Sequence, residues 1–149
     1  MISLHSGEFL ETTIKDLIIS SERVAHVQVG NNLEHALLVL TKTGYTAVPV
    51  LDPTYKLKGL ISSTVILDGI LGLERIEFDR LESMVVEDVM MKNIPILHID
   101  DQVPKALELV VDHPFICVVN DNHVLEGILT RRSILKRLNS HIRRLNNTR

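Results

Sequence analysis

Gly127-Ile128-Leu129-Thr130-Arg131-Arg132-Ser133, set beside Gly59-Leu60-Ile61-Ser62-Ser63-Thr64-Val65, decides the fold. In each stretch a glycine opens an apolar run, a hydroxyl residue closes it, and an apolar pair follows, Ile134-Leu135 and Ile66-Leu67. An apolar run ending on Ser or Thr before a helical stripe reads as a strand-to-helix turn. Finding it twice signals an internal repeat. Working outward, His26-Val27 aligns with His98-Ile99 at an offset of 72, and Ala36-Leu37 with Ala106-Leu107 at 70. Ala47-Val48-Pro49-Val50 aligns with Cys117-Val118-Val119-Asn120 at 70, and the turns themselves align at 68. The offset drifts by two at two loops, as a diverged duplication does.

Each copy reads β-α-β-β-α. In the first, Val27 to Val29 alternates and Asn32 stands where a helix N-cap belongs. Leu33, Ala36, Leu37 and Leu40 recur at helical spacing, and Gly44 is the expected stop. Tyr45 to Leu51 is β-rich, with Pro49 arguing for an edge or strand-end position. Asp52-Pro53-Thr54-Tyr55 is a turn, Leu57 to Ser62 the returning strand, and Thr64 to Leu71 the closing helix. The second copy has a helix over Val103 to Val111 and a hairpin turn at Asn120-Asp121-Asn122-His123. Its last helix, from Arg131, carries a stripe of Ile134, Leu135, Leu138, Ile142 and Leu145. Phe9 to Ile19 reads as helix, and Leu73 to Met84 as a charged, helix-compatible bridge. A unit of about 55 residues has a marginal core, so the two copies are expected to pack face to face with ligand clefts along their interface.

Composition narrows the chemistry. With 45% hydrophobic and 23% charged residues, a chain of 149 buries enough surface to need neither disulfide nor structural metal. The single cysteine, Cys117, excludes an intrachain disulfide framework and any Cys-rich metal site. It is expected in mid-strand, buried and without an activating partner. No apolar run reaches the roughly 20 residues of a membrane span. Met1 to Leu10 shows no export signal, and a cytoplasmic location is expected. Seven histidines suggest metal by number only: none makes a two-ligand helical spacing, and His26 and His98 occupy equivalent repeat positions, so structural roles are expected. No nucleophile-elbow, Walker or His-Glu-x-x-His motif occurs, so no catalytic residue is nominated.

The net charge of −3 hides an asymmetry. Arg131 to Arg149 holds seven Arg/Lys and no acid, leaving nine basic against 19 acidic groups in the first 130 residues. A basic end on an acidic body signals an anion site, a partner surface or nucleic acid. For the last two turns the plainer reading is a solvated face whose cations suit a helix C-terminus.

The duplicated motif, ending in Gly-hydrophobic-x-Ser/Thr, resembles the tandem cystathionine-β-synthase (CBS) pair, or Bateman module, from about Asp16 to Leu138. In detail the chain is similar to the small stand-alone CBS proteins of Gram-positive bacteria that bind cyclic di-AMP. That likeness is carried by Val24-Ala25-His26-Val27-Gln28-Val29-Gly30-Asn31-Asn32-Leu33-Glu34-His35-Ala36-Leu37, Thr43-Gly44-Tyr45-Thr46 and Gly72-Leu73-Glu74-Arg75-Ile76-Glu77-Phe78. The resemblance implies an α/β (α+β) fold of two pseudo-twofold-related CBS motifs forming one Bateman module. Its expected layout is an N-terminal helix over 1–20, a first motif over 21–72, a linker helix over 73–85, and a second motif with basic helix over 86–149. It also implies a cytoplasmic homodimer with one ligand per chain and no cofactor. The targets it implies are a stringent-response alarmone synthetase/hydrolase or pyruvate carboxylase. Membrane is not expected as a partner, and nucleic acid is disfavoured.

CBS pairs typically hold the ribose of AMP, ADP or ATP through the acid of Gly-x-x-Thr-x-x-Asp. Here Ser133 and Val65 stand at that position. A carboxylate grips a free 2′,3′-diol, which a 3′,5′-linked cyclic dinucleotide lacks, and would repel its phosphates. The substitution therefore points to the cyclic ligand. If Thr130 caps the last helix, Arg131 and Arg132 lie in its first turn, where the macrodipole disfavours cations and backbone N–H groups favour anions. Two guanidiniums there match phosphate oxygens. The alternative is that both reach solvent or pair with the acidic body. Ala25 and Ala47 are small enough at strand mouths for a base to approach, or are simple core. Thr46 could bond base or ribose, Tyr45 could stack on adenine, and Arg23 could add a third positive group. Each of these also has an ordinary strand or surface reading. The first-copy turn, Ser62-Ser63-Thr64, offers hydroxyls without a cation and should hold a dianion poorly. The function expected is a non-enzymatic receptor for cyclic di-AMP that modulates a partner enzyme. An AMP/ATP-sensing regulator and a ligand-free interaction module are the alternatives.

Overall fold

The duplicated turn joins the last strand of a sheet to the helix that follows it in each of two units, Ala25–Ile94 and the paired segments Met1–Val24 and Pro95–Arg149. The computed structural model describes residues 11–147. In chain order the elements are β1 (Ile19–Ser20), β2 (Val27–Gln28), α1 (Leu33–Thr43), β3 (Ala47–Leu51), β4 (Leu57–Ser62), α2 (Ser63–Gly69), α3 (Arg80–Ser83) and α4 (Val86–Val89). There follow β5 (Ile96–His98), α5 (Val103–Val110), β6 (Phe115–Val119), β7 (Leu125–Thr130) and α6 (Arg131–Asn147).

In the unit Ala25–Ile94, α1 starts at Asn32, whose Oδ1 accepts the His35 N–H at 2.9 Å. It stops at Gly44, which sits at φ 76° and donates its N–H to the Leu40 carbonyl. The buried stripe Leu33, Ala36 and Leu40 packs with Val48, Val50, Ile61 and Ile66. The sheet order is β2-β3-β4, with β2 parallel to β3 and β3 antiparallel to β4. Pro49 therefore sits in the central strand and not at an edge. Its partner Leu60 exchanges both backbone hydrogen bonds with Met91, so Pro49 and Leu60 form a non-hydrogen-bonded pair. The proline nitrogen faces the β2 side, where the ladder takes up only Val50 and Leu51. No ladder bond is lost.

The other unit has the sheet order β1-β7-β6-β5. Ile14 and Leu17 bury themselves with Leu97, Val103, Ala106, Ile116, Leu129 and Ile134. Of the helix expected over Phe9 to Ile19, the described part is helical at Glu11 and leaves the helix from Thr12 on. Ile14–Asp16 is a single 3-10 turn, and Ile19–Ser20 is β1, antiparallel to β7. Residues 1–10, half of the helix expected over 1–20 and including Phe9 and Leu10, lie outside the described residues. Gly127 makes this pairing possible, because a Cβ there would collide with the Ile19 carbonyl oxygen. Gly59 stands in the same relation to the Met91 carbonyl, so both motif glycines are set by close backbone approach.

Three further expectations change. Of the bridge over Leu73 to Met84, only Arg80–Ser83 is helical. The repeat offset drifts once: Val27 pairs with Val50 as Leu97 pairs with Val118, giving 70 through the first strand and 68 through the hairpin. Pro49, not Ala47, is thus the counterpart of Cys117, and His98 matches Gln28 rather than His26. The counterparts share a bond, the Gln28 N–H going to Asn31 Oδ1 at 2.8 Å and the His98 N–H to Asp101 Oδ2 at 2.7 Å. On α6, Ile134 is buried but Leu135 and Ile142 are exposed, and His141 is the other buried residue.

Both hairpin turns use one device, a residue at positive φ (Tyr55 at 66°, His123 at 64°) after a side-chain acceptor. Asp52 Oδ1 accepts from the Thr54 hydroxyl at 2.6 Å and from the Thr54 and Lys56 N–H groups. Asn120 Oδ1 serves Asn122 and Val124 likewise.

Candidate functional site

Thr130 closes β7 and caps α6: its Oγ1 accepts the Ser133 N–H at 3.0 Å and donates to Ser133 Oγ at 2.8 Å. This is the capping read from sequence. Ser62 does the same for α2, accepting the Val65 N–H at 3.1 Å. The first backbone N–H of α6, from Arg131, goes to the Pro114 carbonyl at 2.9 Å. With Ser133 also engaged, Arg132 supplies the N–H left for an anion at this turn.

The two arginines separate. Arg131 Nε donates to the Val110 carbonyl at 2.7 Å and Nη2 to that of Val111 at 3.3 Å. Its guanidinium thus sits at the C-terminus of α5, where carbonyls lack helical partners and the dipole welcomes a cation. It neither reaches freely into solvent nor pairs with a carboxylate. Arg132 is exposed and, among the described residues, makes no ion pair.

Beside them runs an open groove of about 760 Å³ lined by Pro114, Thr130, Arg131, Arg132, Leu135, Lys136 and Asn139. The lining carries three cations and no carboxylate, a setting that attracts a polyanion. Lys136 was not among the residues singled out from sequence. The signal was its position four residues after Arg132, one helical turn along the same face. Ser133 and Val65, at the position of a ribose-binding acid, are occupied otherwise: Ser133 by Thr130, Val65 against the core of its unit.

The remaining candidates divide between the units. Arg23 is exposed and ends a 3-10 turn, Ser21–Arg23, directly after β1. In the unit Ala25–Ile94, Tyr45 and Thr46 are exposed at the mouth of β3, and Thr46 accepts the Ser63 N–H through its carbonyl. Ala47 is half-buried opposite Ser62, and Ala25 packs on the core.

Cys117 is buried, and loss of solvation pushes its thiol up to about 12. Among the described residues no three His, Cys, Asp or Glu side chains gather as for a metal ion, and no helix is long and apolar enough to cross a membrane.

The CBS domain pattern matches residues 14–72 and 86–140. Cyclic di-AMP receptor B of Bacillus subtilis (strain 168) is 59% identical over 146 residues, covering 98% of this chain and 99% of that protein. A crystal structure of a CBS domain-containing protein of unknown function from Bacillus anthracis str. Ames Ancestor superposes with a TM-score of 0.83 at 66% identity, covering 91% of this chain and 98% of that one. The Listeria monocytogenes CbpB protein in complex with c-di-AMP gives a TM-score of 0.81 at 55% identity, over 87% and 97%.

Proposed function

The chain belongs to the CBS-domain family as a tandem pair, and from that premise we propose that it is a non-enzymatic receptor for cyclic di-AMP. The observation that carries the reading is the groove beside Thr130, with three cations, no carboxylate and no diol-gripping acid. The phosphates lie against Arg132, the turn capped by Thr130 and the uncommitted donors of the Arg131 fork. Arg23 adds charge. Ala25, Tyr45, Thr46 and Ala47, in the unit Ala25–Ile94, are proposed as base and ribose contacts on the resemblance alone. The two relatives named for cyclic di-AMP support this ligand over AMP or ATP.

Calorimetric titration with cyclic di-AMP, AMP, ATP and cyclic di-GMP tests it. Selective binding of cyclic di-AMP near one per chain, lost in Arg132→Met, is the expected result. Preference for AMP or ATP would replace it with the energy-sensor reading, and silence with every nucleotide with the interaction-module reading. A homodimer, a cytoplasmic location, and control of an alarmone synthetase/hydrolase or pyruvate carboxylase are proposed on the resemblance. Co-purification with each enzyme, with and without the dinucleotide, checks the output, because a ligand regulates only by binding two states differently.

A further inference from the structure

The first helix of each motif ends in a different way. α1 closes itself: Gly44 returns its N–H to the Leu40 carbonyl, and the Thr43 hydroxyl donates to the Val39 carbonyl at 2.8 Å. α5 has neither device. Its buried stripe Val103, Ala106 and Val110 corresponds to Leu33, Ala36 and Leu40, and after it the second copy is two residues shorter on the way to the next strand. The residues that remain, Val111-Asp112-His113-Pro114, include no glycine, and Val111 keeps a right-handed φ of −58°. The closure comes instead from the turn before α6. Arg131 donates from Nε and Nη2 to the Val110 and Val111 carbonyls at 2.7 and 3.3 Å, and from its backbone N–H to the Pro114 carbonyl at 2.9 Å. One residue thus ties both ends of the connection. Ser63, at the same place in the first copy, makes the backbone bond, to the Thr46 carbonyl at 3.4 Å, and its side chain is too short for the others.

We propose that Arg131 couples the anion groove to this connection: an anion held on its guanidinium fixes the end of α5 and orders the chain from Val110 to Pro114. The inference rests on the reading of the groove as a phosphate site for a cyclic dinucleotide and adds what binding does to the protein. A guanidinium carries five N–H donors in a rigid plane, and Arg131 spends two of them on α5. Its Nη1 edge is left for the groove, which Arg131 and Pro114 both line. A phosphate there and the two carbonyls bind different edges of one plane, so each holds it in place for the other. Without the anion, this long side chain closes α5 only by giving up its rotamer freedom. An anion that already holds it removes that cost, so cap and ligand strengthen each other. Val111 is 73% exposed and Asp112 is exposed beside it, so the segment ordered by the ligand lies at the surface, where a partner protein can read it.

Amide hydrogen exchange read by mass spectrometry tests this, beside calorimetry that establishes saturation. On saturating the wild type with cyclic di-AMP, the amides from Leu109 to His113 should exchange roughly threefold more slowly or better. Faster exchange would mean that the anion draws Arg131 away from α5, and overturns the coupling. Unchanged exchange with the ligand bound overturns it as well. In the free protein, Arg131→Lys should speed exchange of the same amides, since an ammonium cannot serve two carbonyls as a planar fork does. Exchange equal to wild type there overturns the proposal without any ligand. With Arg131→Lys saturated at higher concentration the slowing should be absent. Slowing that persists means the ligand orders the segment by direct contact, and overturns the role of Arg131. Absence of binding in the calorimeter overturns the receptor reading and this inference with it, whereas binding without protection overturns the inference alone.

Discussion

Arg131 and Arg132 are adjacent in sequence and separate in role. Arg131 satisfies two carbonyls at the end of α5, so Arg131→Met should cost about 1.5–3 kcal/mol, read as a lowered thermal midpoint. Arg132→Met removes a solvent-facing guanidinium and should leave stability within about 0.5 kcal/mol while abolishing dinucleotide binding. The first arginine's task was not legible in the sequence, since its acceptors lie some twenty positions away and nothing periodic connects them. Thr130 was legible because a cap is a local matter. Cys117 follows from burial in the same direct way. With its thiol raised to about 12, a thiol reagent near neutral pH should label the native protein only after unfolding.

Among the elements, β1 is the least predictable and the most exposed to a single change. It has two residues, and it exists because Gly127 lets the Ile19 backbone approach β7. Gly127→Ala should cost roughly 2–4 kcal/mol in denaturant unfolding, by displacing β1 or β7. Gly30→Ala, where an added Cβ would meet nothing, is the matched control and should be near neutral. The turn from β5 to α5 depends on Asp101, which accepts the His98 N–H and pairs with Lys105 at 3.1 Å. Burial pushes its carboxyl up, but the His98 bond and Lys105 together outweigh that and hold it below the usual carboxylate value. Its folded pKa therefore lies below its unfolded one. The stability it adds is present above the unfolded value and is lost as pH falls through the folded value. Asp101→Asn should cost about 0.5–1.5 kcal/mol near neutrality and flatten the acid limb of a stability-against-pH curve.

At the scale of the whole chain, the charge is divided as the proposed function requires. Seven of the 16 Lys and Arg residues lie in the last 19 positions with no acid among them, and three of these, Arg131, Arg132 and Lys136, line one groove. An anionic ligand held there by solvent-facing cations should bind several-fold more weakly at about 0.5 M salt than at low salt, whereas a ligand held by burial alone would not. Titrations at two ionic strengths read the difference.

The repeat, the β-α-β-β-α order, both helix caps and the stop at Gly44 were determined by sequence alone. Each is a matter of spacing or of one residue's backbone preference, and both are written along the chain. Tertiary structure decided what depends on which segments meet. It placed Pro49 in a central strand, where the neighbouring ladder happens not to need its nitrogen. It made the end of an expected N-terminal helix a 3-10 turn at Ile14–Asp16 and a strand from Ile19, because a sheet edge with a glycine was open to receive that strand. It reduced the drift of the repeat to one step, since strand register and not residue likeness fixes which positions correspond. It sent Arg131 to a helix end and left Arg132 in water, a choice made by the distance to Val110 that no local pattern encodes.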